Sequence, residues 1–168
     1  MLDNILRDFT VFLDGIGKLG DAETVKLPAL VKKVEEYRGG GMDMPVEIDL
    51  GKEKMEAEVT LSQWDPQIYS LFGLHSNIEG TPLTFRGHVI SSEGTTKGVV
   101  VHMRGFIKGI AQDTVAPAKK NEKVFTFALS YYKHVMDGQL LIELSAKDLI
   151  HNVGGVDLSA AKRNNLGL

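Results

Sequence analysis

The chain contains no cysteine, which removes disulfide frameworks, thiolate metal sites and thiol nucleophiles from consideration. It also lacks any long apolar run. Stretches such as residues 99–101 fall far short of the ~20 residues a membrane helix needs, so no stable membrane anchor is expected. Residues 1–7 carry no basic n-region ahead of an apolar core, and export by a signal peptide is not expected. An excess of positive charge is missing as well. Lys and Arg number 19 against 22 Asp and Glu, which argues against a dedicated grip on a phosphate backbone and against sequence-specific nucleic-acid binding. What remains is an ordinary globular composition over 168 residues, enough for one domain, 1–168, with a sizeable core.

Alternation with a period of two dominates what is present. Phe9, Val11 and Leu13 share a face ahead of Asp14-Gly15. Residues 25–38 form a second run, broken by Pro28, which cannot donate to a ladder; residues 31–38 are read as extended. Gly39-Gly40-Gly41 interrupts it, and residues 46–50 hold a short strand. Met55, Ala57, Val59 and Leu61 give the cleanest strand face. Asp65 as N-cap, Pro66 in the first turn and the Ile68, Leu71, Phe72 stripe predict the one convincing helix, ending at Gly73. Residues 83–90 and 98–110 are two more strands, and 111–122 is a loop. The strongest local signal is Asp137-Gly138 between residues 124–136 and 139–144, because both central residues of that hairpin turn must accept positive φ. Phe125, Phe127, Leu129, Tyr131 and Val135 are expected on one face, and Leu140, Ile142 and Leu144 on one face beyond the turn. Short helical turns are expected near 148–152 and 159–164. The fold class is therefore mainly β, an antiparallel sandwich or barrel with one flanking helix.

Candidate chemistry is sparse. The tract 15–20 has GxGxxG spacing after a strand, yet at most two helical turns fit before Pro28, so a glycine-rich strand connection explains it better than a dinucleotide site. Glu56 and Glu58 share a strand face and could in principle do acid–base work, but Lys54 beside them fits a solvated face. His75, His88, His102, His134 and His151 never occur at metal-chelating spacing. No cofactor, metal or catalytic residue is expected. A strand as long as 124–136, against a usual ~5–6 residues, turns the question to assembly: an unpaired sheet edge invites another chain.

Several tracts resemble the major tail tube proteins of contractile phage tails and R-type, pyocin-like bacteriocins. They are residues 35–51 (EEYRGGGMDMPVEIDLG), 11–15, 27–30, Met103-Arg104-Gly105, the region 131–157 and the ending 163–168. They follow the same order over nearly the whole chain; the loops 91–98 and 111–122 match least. The resemblance implies a non-enzymatic structural subunit that forms stacked hexameric rings, completing a large β-barrel inside a sheath that drives the tube through a target envelope. It implies sheath, baseplate and tube-terminating proteins as partners, synthesis in a bacterial host cytoplasm, and a final place in the particle. The type VI secretion tube is a related alternative; a small-molecule-binding β-barrel is a more distant one.

Within that frame, inter-subunit and inter-ring contacts are expected from Tyr37, Arg38, Gly39, Gly40, Gly41, Met42, Met44 and Ile48, where the glycines let the backbone leave the sheet and the apolar side chains offer anchors. Arg163, Leu166 and Leu168 form a second candidate contact. Thr84, Arg86, His88, His102, Arg104 and Lys108 form one polar parity on the long strands and are the candidate lumen face.

Overall fold

The structure is a computed structural model that describes residues 3–13, 16–17, 22–74 and 80–168. In chain order the elements are β1 (Ile5–Leu13), β2 (Ile16–Gly17), β3 (Ala22–Lys26), β4 (Lys32–Tyr37), β5 (Val46–Lys52), β6 (Met55–Leu61), α1 (Pro66–Leu74), β7 (Thr81–Ile90), β8 (Thr96–Gln112), β9 (Lys123–Met136), β10 (Gln139–Ser145), β11 (Ile150–Val153), β12 (Val156–Asp157) and α2 (Ala160–Asn165). Most of the tract 15–20, the Asp14-Gly15 turn and His75 lie outside the described residues. Ile16–Gly17 is described, and it pairs as a strand with Phe12 and Leu13, which is not the helix start that a dinucleotide site needs.

All pairings are antiparallel. The main sheet runs β12-β11-β10-β9-β8-β7-β1-β2, with β6 joined to β9 and β3 to β6. The Asp137-Gly138 turn closes the β9–β10 hairpin with φ of 49° and 78°, the left-handed pair that the dipeptide supplies without strain. On its other edge β9 is divided. Its first half, through Leu129, pairs with β6, and its second half, from Tyr131, pairs with β10. Ser130 sits at the division as a bulge opposite Arg104 and Gly105, and its carbonyl accepts the Ala146 N–H at 2.9 Å.

That bulge corrects the expected face of β9. Phe125 and Phe127 are buried as expected, but one extra residue reverses the parity beyond it. Tyr132, not Tyr131, enters the core, and Val135 pairs with Val100 on the opposite face. A second shift at Leu141 separates Leu140, which pairs with Val135, from Ile142, which pairs with His134. Gly105 is required by close approach: a Cβ there would lie 1.9 Å from the Ala128 carbonyl oxygen.

The core lies between the curled sheet and α1. Val11, Leu13, Ala57, Val59, Leu83, Val101, Met103, Phe125 and Phe127 are its most buried members. α1 begins as expected, with the Asp65 carboxylate accepting the Gln67 N–H at 2.9 Å. Ile68 and Leu71 pack inward. Phe72 does not: its backbone leaves the helix (ψ 101°) ahead of Gly73 at φ +101°, so its ring turns to solvent. The expected helical turn at 148–152 is instead β11, because the edge of β10 offers it a ladder, from Ser145↔Ile150 to Ile142↔Val153. The second helical segment is present as α2.

Candidate assembly surfaces

The residues 35–51, expected as a contact tract, lie outside the main sheet, with 38–45 as a non-strand tip. They lie in a separate two-stranded hairpin, β4–β5, registered as Val34↔Asp49, Glu35↔Ile48, Glu36↔Glu47 and Tyr37↔Val46. Every residue of both strands is exposed. The register gives the arm two unlike faces. Tyr37, Val46 and Ile48 share one with Glu35, the three apolar side chains 44–54% exposed, and Leu50 continues it by parity. Val34, Glu36, Glu47 and Asp49 share the other. At the tip, Gly39 and Met42 close a turn through Met42 N–H to Gly39 O (3.2 Å). The Arg38 Nε–H donates to the Met42 carbonyl at 3.1 Å. Gly41 takes φ +84°, and Gly40 has open space around it. Met44 is 71% exposed. An apolar strand face uncovered by its own chain is a docking surface or an aggregation hazard.

The main sheet does not close within the described residues. β2 covers β1 only at Phe12 and Leu13, leaving the outer edge of residues 5–11 without a partner strand. At the far margin β12 covers only Asn152 and Val153 of β11. Sequence periodicity carries no signal for which edges stay bare; only the topology shows it.

The expected lumen residues are brought together on one face, opposite the core. Thr84 pairs with His102, Arg86 with Val100, His88 with Gly98 and Pro82 with Arg104. Thr84 Oγ1 lies 3.5 Å from His102 Nδ1. The Arg104 guanidinium stacks 4.3 Å over the Tyr131 ring, whose hydroxyl donates to Glu143 at 3.1 Å. Burial, then the Glu143 contact, pushes the Tyr131 phenol up to about 12. Lys108, a bulge residue, reaches across the short side chains of β9 to form an ion pair with Glu56. Burial, then Lys133 and Arg86, lowers the His102 imidazole pKa. Asp8, opposite His88, and Glu58, opposite Thr126, add acids, so the face is a mosaic of both signs with Phe106 and Val100 among them.

Glu56 does not form a proton-sharing pair with Glu58. Lys108 and Lys54 hold its carboxyl below the usual carboxylate range, which keeps it ionised and unsuited to act as a general acid. At the C-terminal segment Leu166 and Leu168 are exposed. Arg163 is engaged within the chain, donating to the Leu149 carbonyl at 3.0 Å and pairing with Asp157.

A groove of about 430 Å³ lies at the foot of the arm. Leu30, Val31, Leu129, Ile142, Ala146 and Leu149 are among the residues that line it. Neither the groove nor the arm's register could be found from sequence periodicity, because both arise where segments distant in sequence meet.

Residues 3–167 match the family model described as phage tail tube protein FII. A tail tube protein of Escherichia phage P2 is 32% identical over 167 residues, covering 97% of this chain and 96% of that one. The major tail tube protein of Serratia phage KSP20 is 29% identical over 155 residues, with 91% and 89% covered. A chain of the sheath–tube complex of the extracellular contractile injection system PVC, in its extended state, has the same fold. Its TM-score is 0.55 at 10% identity, with 76% of this chain and 86% of that one covered. A chain of the tube-terminating cap of the anti-feeding prophage aligns with a TM-score of 0.52 at 10% identity, with 76% and 86% covered.

Proposed function

This chain belongs to the phage tail tube protein family and is a tail tube subunit, and from that premise we propose that copies close into a hexameric ring and that rings stack into the tube. The bare outer edge of β1 pairs with the β10–β12 margin of the neighbour, so that ring closure removes both edges. The arm reaches out of the protomer and buries its Tyr37, Val46 and Ile48 face on other copies, and Leu166 and Leu168 add a smaller contact.

The face carrying Thr84, Arg86, His88, His102, Arg104 and Lys108 lines the bore. Its mixed charges support this, since a bore must stay hydrated and hold no cargo of either sign tightly. Sheath protein surrounds the tube, and baseplate and terminating proteins cap it. The subunit is made in the bacterial host cytoplasm and finishes in the particle, and its work is mechanical rather than enzymatic.

One observation carries this reading: a single chain presents a β-hairpin whose largely apolar face is left uncovered among the described residues. Electron microscopy of the purified protein tests it. Rings or hollow tubes are the expected result, and a persistent monomer at high concentration would overturn the proposal.

A further inference from the structure

We propose that the groove at the foot of the arm is the receptor for the arm tip of a second copy, with Met44 seated in it and Asp43 and Glu47 against its lysines. The inference rests on the arm being an intermolecular contact, and it adds where that contact lands. The groove is apolar within, through Leu30, Val31 and Ile142, and basic at its rim, through Lys52, Lys162 and His151, with Glu53 as its acid. Lys52 and Lys162 make no ion pair among the described residues, whereas Lys32 is paired with Asp49 and Lys54 with Glu56. The basic character shows in a neighbouring group: burial, then Lys52 and Lys32, lowers the pKa of His151.

The tip has the complementary make-up. Residues 35–47 contain Glu35, Glu36, Asp43 and Glu47, with Arg38 the one base among them, and Arg38 already donates to the Met42 carbonyl. Met42 is folded into the tip, its sulfur accepting the Gly39 N–H at 3.2 Å, which leaves the exposed Met44 beside Asp43 as the flexible thioether able to fill an irregular apolar hollow.

The arm cannot fill its own groove. β4 alone has 6 residues, which sets the tip about 20 Å from the foot along a paired ribbon. The occupant that matches the groove in charge and shape is the tip of another copy. Tip and groove are different surfaces, so the contact is head-to-tail, the kind that closes as a ring or continues as a stack.

The cysteine-free sequence gives a clean test. With Met44→Cys and Ala146→Cys in one full-length chain, a short bismaleimide should link assembled subunits into a ladder of dimers, trimers and higher species. Neither single variant should do so. Tubes that form normally yet give no ladder would overturn the groove assignment and leave the tail tube role intact. Failure of the unmodified chain to assemble would instead remove the reading beneath it. Independently, Asp43→Lys should raise the concentration needed for tube formation about tenfold, with the circular dichroism of the protomer unchanged, and Lys162→Glu added to it should restore assembly. Unimpaired assembly of Asp43→Lys, or no rescue by the second change, would place the tip elsewhere.

Discussion

β5 and β6 are neighbours in sequence with nearly the same pattern and opposite fates. Val46, Ile48 and Leu50 alternate with polar residues as regularly as Ala57, Val59 and Leu61 do. The second set is 0–2% exposed and the first 44–51%. Alternation states that a strand has an apolar face; it does not state what covers it. β6 is covered because β9 and β3 flank it and the core lies beneath. β5 has only β4, and an isolated two-stranded hairpin is marginal in water. The β5 face therefore stays exposed in the single chain, as the proposed interface requires.

Substitutions in the two regions should separate sharply, and the largest effects belong to the body. Phe127→Ala removes a ring that is 0% exposed and should cost the protomer about 4 kcal/mol, measurable by denaturant unfolding. Gly105→Ala drives a methyl into the Ala128 carbonyl and should cost about 3 kcal/mol through forced backbone movement; a variant that melts with the parent would show that the strands are not so closely apposed. Asp65→Ala deletes the α1 cap and should cost about 1 kcal/mol.

Acidification should also act on the body. Burial lowers the folded-state pKa of His134 below the ordinary 6.5. The unfolded chain then binds its proton first, so stability is complete above about 6.5 and falls as pH drops through that value toward the folded pKa. The melting temperature should decline between pH 7 and 5, and less so in His134→Gln. The smallest effect on the protomer belongs to the arm: Ile48→Asp should shift its unfolding free energy by less than about 0.5 kcal/mol while abolishing tubes under the microscope. A large loss of protomer stability there would erase the distinction between the two regions.

The sequence showed the strands well because burial on one side writes a period-two pattern, and the Asp137-Gly138 turn because its φ values are residue-specific. It missed the Ser130 and Leu141 shifts, since one inserted residue leaves local composition unchanged while reversing every face beyond it. β11 was missed because its conformation depends on a partner edge already in place. The glycine break at 39–41 and the strand at 46–50 were legible in the tract 35–51, but its hairpin form and the groove at its foot depend on long-range placement. Of the polar-face residues, the shared face was legible from parity. The Lys108–Glu56 and Arg104–Tyr131 contacts required the register.

Amide hydrogen exchange across β4–β5, compared between the Ile48→Asp protomer and assembled wild-type tubes, tests the central claim most directly. Fast exchange over 32–52 is expected in the protomer and strong protection in the tube, with β6 and β9 protected in both. Arm amides that exchange as rapidly in the tube as in the free subunit would contradict it.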